Sequence, residues 1–220
     1  MLVRADRVGF ARLIAYARDP DNTDQRALAC ILSHRCNCPD TPYRQALGLD
    51  EAELRAVLAE YFPVLAADWP DGGCLRHRLG LACHHEAPPP GHGRFSASLL
   101  EQEEQDLCRL FLTHAADSGI WPVVFARSIA RACMEPQHLW MSLGLEGRAQ
   151  LSAILVRHFP ALVARNDHDM RWKKFFYKLL CDEEKVWTCK ASSCEICPHH
   201  SECYVTSPPG NAPAVVPPEG

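Results

Sequence analysis

Residues 47–65 read LGLDEAELRAVLAEYFPVL, and residues 143–162 read LGLEGRAQLSAILVRHFPAL. Both stretches repeat apolar residues at the i, i+3, i+4, i+7 spacing that places side chains on one face of a helix. These positions are Leu54, Val57, Leu58 and Tyr61 in the first stretch and Leu151, Ile154 and Leu155 in the second, where His158 takes the fourth position. Strand-like alternation is scarce along the chain. The sequence therefore predicts an all-α fold, built as a helical bundle.

The two stretches share more than their helical period. Placing Leu54 on Leu151 also places Cys36 on Cys133 and Pro39 on Pro136, whereas the Leu-Gly-Leu motifs align after a shift of one residue. We interpret this register as two related helical units that bury matching faces against each other. The alternative is that two Leu-rich helices resemble each other by chance.

Proline-rich segments, one of them also rich in glycine, mark the predicted boundaries between the parts of the chain. Residues 87–93 read APPPGHG, which cannot continue a helix and predicts a linker. It separates an N-terminal helical unit (residues 1–86) from a C-terminal helical unit (residues 94–181). A cysteine-rich loop follows at 182–204, and the proline-rich residues 205–220 are predicted to form a disordered tail.

Composition narrows the classes of function. The formal charge of −4 argues against a general nucleic-acid binder, which would show a basic excess. Residues 1–10 lack the apolar region of a secretory signal, and no stretch approaches the roughly 18 apolar residues of a membrane helix. We therefore expect a soluble, cytoplasmic protein, in which twelve cysteines indicate buried thiols and metal ligation before disulfides.

The strongest chemical signal is the sequence CKASSCEICPHHSEC at residues 189–203. Its four cysteines, Cys189, Cys194, Cys197 and Cys203, have the spacing C-x4-C-x2-C-x5-C. Iron in a cluster prefers soft, anionic sulfur ligands, and a short loop with unequal gaps can wrap such a cluster. The spacing favours an iron–sulfur site. The alternative is structural zinc, which more often uses two C-x2-C knuckles.

The segment before this loop predicts a two-faced helix. Its aromatic and aliphatic face consists of Trp172, Phe175, Phe176, Leu179 and Leu180, and its basic face of Arg171, Lys174 and Lys178. One interpretation is a packed helix with a solvated basic face. The other is that the cations bind an oxyanion such as molybdate, or an acidic partner.

Further metal-capable residues occur elsewhere in the chain. His199 and His200 lie inside the loop and either complete metal coordination, donate a hydrogen bond to the cluster, or are simply exposed. A second group consists of Cys74, Cys83, His84 and His85, and a third of Cys36 and Cys38. Their spacing matches no cluster loop, so we interpret them as buried or incidental. Apolar neighbours favour core positions for Cys30, Cys108, Cys133 and Cys181.

Over residues 120–204 the chain resembles the NifQ family. The resemblance is carried by the cysteine loop, by MRWKKFFY at residues 170–177, by FPAL at 159–162, and by FAR at 125–127 followed by HLW at 138–140 and LGL at 143–145. It implies a non-enzymatic molybdenum carrier for assembly of the nitrogenase iron–molybdenum cofactor. The implied cofactors are molybdenum and an iron–sulfur cluster of the [3Fe-4S] or [4Fe-4S] type, held by Cys189, Cys194, Cys197 and Cys203.

The resemblance also implies partners. Molybdate or another source would supply the metal, which would pass to the cofactor scaffold complex with the nitrogenase iron protein taking part. From the charge and the lack of long apolar stretches we expect no nucleic acid or membrane as partner. Two other functions compete with this one. A zinc-stabilised helical adaptor would use the loop as a structural clip. An iron–sulfur DNA-repair glycosylase can carry a similar loop, but it needs a basic face that the net charge of −4 disfavours.

Overall fold

The computed structural model describes residues 7–35, 46–67, 79, 97–167 and 169–184. Within these ranges the chain forms ten helices and no strand, which confirms the all-α prediction for this part of the molecule. In chain order they are α1 (Arg7–Tyr16), α2 (Thr23–Arg35), α3 (Glu51–Tyr61), α4 (Pro63–Ala67), α5 (Ala97–Thr113), α6 (Ile120–Cys133), α7 (Leu139–Ser142), α8 (Arg148–His158), α9 (Pro160–Ala164) and α10 (Trp172–Glu184).

The two repeated stretches fold into the same pair of helices. Helix α3 begins with a capping box, in which the Asp50 side chain accepts the Glu53 N–H at 2.8 Å and the Glu53 carboxylate accepts the Asp50 N–H at 3.0 Å. It ends at Phe62 (φ −133°), and α8 ends in the same way at Phe159 (φ −136°). A proline then opens α4 and α9, where its missing N–H is not needed. Local sequence thus determines both helix pairs.

Each unit contacts the other through a glycine. Gly48 (φ +73°) precedes α3, and a Cβ built there would lie 2.6 Å from the carbonyl oxygen of Arg127 on α6. Gly144 (φ +68°) precedes α8, and a Cβ there would lie 2.2 Å from the Cβ of His34 on α2. Both positions need glycine, because the backbone is left-handed and the neighbouring helix leaves no room. Each Leu-Gly-Leu motif therefore packs on a helix of the other unit.

Two polar contacts also join a helix of one unit to a helix of the other. Arg127 Nη2 on α6 donates to Glu53 Oε1 on α3 at 3.1 Å. Gln150 on α8 donates through Nε2 to Cys30 Sγ on α2 at 4.0 Å. Arg127 stands 97 positions after Cys30, and Gln150 stands 97 positions after Glu53, so the two contacts are equivalent in the two units. The 97-residue offset that aligns the two sequences therefore also relates equivalent contacts in the structure.

A third pair of contacts lies at the ends of the same helices. The rings of Tyr61 and Trp121 are 4.3 Å apart between centroids. At the positions 97 residues away, Asp24 Oδ1 lies 3.0 Å from His158 Nε2. An aromatic pair on one side of the molecule thus corresponds to a polar pair on the other.

These contacts join the two helical units through one continuous core. The predicted linker (87–93) and tail (205–220) lie outside the described residues, so the domain boundaries stay predictions. None of the described helices combines the length and apolar character needed to cross a membrane.

Candidate metal site

Helix α10 leads into the cysteine loop, and its aromatic face is buried as the sequence predicts. Phe175, Phe176, Leu179 and Leu180 are all at most 6% exposed. The ring of Phe176 meets Phe111 of α5 edge-on at 4.7 Å between centroids. Trp172 is half-buried, and its Nε1 donates to Ser152 Oγ on α8 at 2.9 Å. The helix before the loop is therefore fixed against both α5 and α8.

Two further residues anchor α10 through contacts that its helical period does not predict. Lys173 donates through Nζ to the backbone carbonyl of Glu135, just beyond α6. The Tyr177 hydroxyl donates to the carboxylate of Glu103 on α5. Glu135 also pairs with Arg35 of α2 at 2.8 Å, so the anchoring network reaches the first unit. These contacts join residues that are far apart in the chain, where local periodicity is uninformative.

The predicted ligands lie beyond the end of α10. All four loop cysteines, with His199 and His200, fall outside the described residues, so their arrangement stays a prediction. The secondary candidates fall outside them as well, namely Cys36, Cys38, Cys74, Cys83, His84 and His85.

The described cysteines show which thiols are unsuited to ligation. Cys30, Cys108 and Cys133 are buried, as predicted. Burial raises the pKa of Cys30 to about 11 and that of Cys133 to about 12, and it also raises the pKa of Cys108. Metals bind the thiolate, so these protonated thiols are poor ligands. The core prediction is wrong for Cys181, which is only half-buried because it lies at the edge of the packed face of α10.

Among the described residues, no group of three His, Cys, Asp or Glu side chains is placed to hold a metal ion. By contrast, the loop sequence offers four cysteines within fifteen residues. A set of four thiolates fits an iron–sulfur cluster, and it also fits structural zinc. The chemistry of the donors thus favours the loop as the metal site without choosing between these two metals.

A buried polar cluster at the junction of α2 and α8 was not predicted from the sequence. Asp24, 7% exposed, accepts from Arg157 Nη1 at 2.5 Å and lies 3.0 Å from His158 Nε2. Burial alone would raise the pKa of Asp24, but the hydrogen bonds and charges of His158 and Arg157 hold it below its ordinary value. The available signal was His158 itself, a polar residue on an apolar helix face. We assign this cluster a structural role.

A cavity of about 180 Å³ opens between α5 and α6. Both arginines that line it are paired: Arg131 contacts Glu104 at 3.1 Å, and Arg127 contacts Glu53 at 3.1 Å. The acids on its wall are Glu104 and the exposed Glu101, so two positive and two negative side chains line it. The thiol on its wall is Cys108, whose raised pKa keeps it protonated. The cavity therefore presents neither an excess of one charge nor a reactive thiolate.

Comparison with known proteins extends the resemblance to most of the chain. The NifQ family model matches residues 27–205. The chain is 32% identical to Protein NifQ of Azotobacter vinelandii over 204 residues, which cover 91% of this chain and 89% of that protein. The chain belongs to the NifQ family. It is also 40% identical to Protein NifQ of Rhodobacter capsulatus over 181 residues, covering 81% of this chain and 88% of that relative.

The NifQ match begins at residue 27, well before the motifs at 120–204 that carry the resemblance in the sequence. It therefore includes most of the first helical unit, which contains none of the motifs that carry the family resemblance. It ends at residue 205 and so includes Cys189, Cys194, Cys197 and Cys203. No solved structure matches this NifQ-family chain.

Proposed function

We propose that this NifQ-family chain is an iron–sulfur molybdenum carrier in the biosynthesis of the nitrogenase iron–molybdenum cofactor. Its loop cysteines, Cys189, Cys194, Cys197 and Cys203, would hold a cluster of the [3Fe-4S] or [4Fe-4S] type. The observation that carries the proposal is the family match over residues 27–205, which includes all four of these cysteines.

The cysteines of the helical body support this choice of ligands. Cys30 and Cys133 are buried, and their pKa values of about 11 and about 12 keep them protonated at neutral pH. They are therefore poor competitors for iron, and the loop is the best thiolate donor set in the sequence. When bound, the cluster supplies soft sulfide donors to which a thiophilic metal such as molybdenum can attach.

The helical body has a positioning role in this proposal. Helix α10 is held on α5 by Phe176 and Tyr177 and on α8 by Trp172. A rigid element is a better base for a metal site than a loop alone, because it limits the positions that the first ligand can take. Capture and release of a metal require no covalent turnover, so we propose a carrier and not an enzyme.

Delivery requires a donor and an acceptor. We propose molybdate, or a species derived from it, as the metal source. The proposed acceptor is the cofactor scaffold complex of nitrogenase, with the nitrogenase iron protein taking part. Family membership supports this pairing, and the chemistry of transfer requires only that the acceptor binds molybdenum more tightly than the loop does.

Metal analysis of the full chain tests the proposal. Protein purified without oxygen from iron-replete cells should be brown and contain iron and acid-labile sulfide, and its electron paramagnetic resonance signal should change after molybdate is added. Replacing any one loop cysteine by Ala should abolish molybdenum retention while circular dichroism shows that the helices persist. Cys181→Ala is the matched control, because Cys181 lies on α10 outside the loop, and it should retain the metal.

Each rival function predicts a different result. A colourless protein that contains zinc and unfolds with a chelator would identify the loop as a structural clip. Tight binding to duplex DNA at low salt would favour the glycosylase reading. A protein with neither iron nor sulfide, or molybdenum retention by all four loop variants, rejects the carrier proposal.

A further inference from the structure

His114 lies directly after α5, at a point where the ends of three helices meet. Its Nδ1 is 2.9 Å from the carbonyl oxygen of Leu110, one turn back along α5. Its Nε2 is 3.3 Å from Arg165 Nη1, just beyond α9, and the same nitrogen of Arg165 lies 3.6 Å from Glu183 Oε1 in the last turn of α10. The imidazole is therefore next to the end of the helix that leads into the cysteine loop.

The partners of His114 decide which ring nitrogen carries the proton. A guanidinium group can only donate hydrogen bonds, so His114 Nε2 accepts from Arg165. The proton is then on Nδ1, which donates to the carbonyl of Leu110. Histidines that bind metals use the same arrangement, because a hydrogen bond from one ring nitrogen to a carbonyl orients the ring and leaves the lone pair of the other nitrogen for the metal. His114 Nε2 is thus a preorganised nitrogen donor.

The lone pair of His114 Nε2 is also accessible. His114 is half-buried, whereas His158 is buried in the core against Asp24. The side chains of Arg165 and Glu183 are 41% and 48% exposed, and the hydrogen bond of 3.3 Å from Arg165 is long for its kind. Such an exposed contact contributes little stability, and Arg165 keeps Glu183 as a partner without it. A metal can therefore replace Arg165 at Nε2 at little cost.

We propose that His114 Nε2 is a nitrogen ligand to the captured molybdenum. This inference rests on the proposed carrier function and adds one metal ligand from the helical body to the four of the cysteine loop. A metal attached to the sulfides of a cluster keeps open coordination positions, and imidazole suits many transition metals. The partial negative charge at the C-terminal ends of α5 and α10 favours such a cationic metal over free molybdate.

The cysteine loop is close enough along the chain to share a metal with His114. Cys189 follows Glu183 by six residues in the sequence, and a chain of that length spans about 20 Å at most. A cluster on the loop can therefore be held against the end of α10, beside His114. The same bond provides a means of release, because exchange of one nitrogen ligand frees molybdenum while the thiolates keep the iron.

Substitution of His114 in the full chain tests the assignment. Protein is purified without oxygen from iron-replete cells, incubated with molybdate, desalted and analysed for iron, sulfide and molybdenum. His114→Asn offers a side-chain N–H to Leu110 but no nitrogen lone pair, so it should keep iron and sulfide and retain at least about 10-fold less molybdenum. His138→Asn, the same change at a half-buried histidine just before α7, should retain molybdenum within about twofold of wild type.

Labelling the histidines with nitrogen-15 gives a direct readout of the bond. After molybdate is added to the wild type, pulsed electron paramagnetic resonance should show coupling to a histidine nitrogen. His114→Asn should remove this coupling, whereas replacement of His199 or His200 by Asn should leave it in place. Circular dichroism and urea unfolding on every sample show whether the helical body is intact.

Loss of molybdenum and of the nitrogen coupling in His114→Asn, with iron, sulfide and helicity unchanged, supports the inference. Equal molybdenum retention by His114→Asn and wild type overturns it, as does a coupling that depends on His199 or His200 instead. A parallel loss of iron from His114→Asn also overturns it, because His114 then supports only the fold. These results leave the carrier function standing, whereas a wild type without iron and molybdenum rejects that function and the inference with it.

Discussion

Replacing Gly144 by Ala perturbs the contact between the two helical units most directly. Gly144 has a φ of +68°, and a Cβ at this position would lie 2.2 Å from the Cβ of His34. The left-handed conformation costs a residue with a side chain about 1–2 kcal/mol. Overpacking against a helix adds about 1–3 kcal/mol, because α2 must move away. We expect the free energy of unfolding to fall by about 2–5 kcal/mol, a large part of the ~5–15 kcal/mol typical of a domain.

Urea unfolding followed by far-ultraviolet circular dichroism measures this loss. Gly147→Ala is the matched control from the same turn, since Gly147 has an extended φ of 173° and nothing lies within 4 Å of a Cβ built there. The control should be neutral or gain a few tenths of a kcal/mol, because Ala reduces the entropy of the unfolded chain. A loss below about 1 kcal/mol for Gly144→Ala, or equal losses for both variants, would refute the packing of the Leu-Gly-Leu motif on α2.

Two further predictions concern buried groups of the helical body. Asp24→Asn should lower the free energy of unfolding by about 1.5–3 kcal/mol near pH 6, because it removes a charged acceptor from a buried cluster. Against the effect of burial, His158 and Arg157 hold the pKa of Asp24 below 3.8, so the stability it contributes is present above that pH and is lost as the pH falls through the folded-state pKa. The difference between wild type and variant in urea unfolding should therefore shrink below about pH 4, and a difference that grows on acidification would contradict the assignment. In the folded protein at about pH 8, iodoacetamide should modify half-exposed Cys181 at least about 100-fold faster than Cys133, whose pKa burial raises to about 12; peptide mass mapping gives both rates, and similar rates would show that Cys133 is accessible.

One contact between the two units is polar, and its counterpart at the equivalent positions is aromatic. Asp24 and His158 occupy the positions that Trp121 and Tyr61 hold 97 residues away. The tilted pair of Tyr61 and Trp121 carries no charge that acid would remove, whereas the carboxylate pair depends on ionisation. Acid should therefore weaken the Asp24–His158 contact, while the Tyr61–Trp121 contact persists.

Much of the fold follows from local sequence. Helix α3 is predicted by the period of Leu54, Val57 and Leu58, and all three are buried. The Phe-Pro steps predict where α3 and α8 end, because proline cannot supply the next backbone hydrogen bond but can begin a new helix. The packed face of α10 and the buried thiols follow from the same periodicity. The cysteine loop is predicted by spacing and donor chemistry alone, which need no tertiary information.

Local sequence therefore predicts the helical class, the repeated helix pairs, the buried faces of α3, α8 and α10, and the residues proposed to hold the cluster. Long-range packing places each Leu-Gly-Leu motif on the other unit, brings Asp24 to His158, and anchors α10 through Lys173 and Tyr177. Sequence patterns do not predict these contacts because the contacting residues are far apart in the chain. Periodicity and turn chemistry act within a few residues, whereas these contacts join positions dozens to more than a hundred residues apart and depend on how whole helices fill the core.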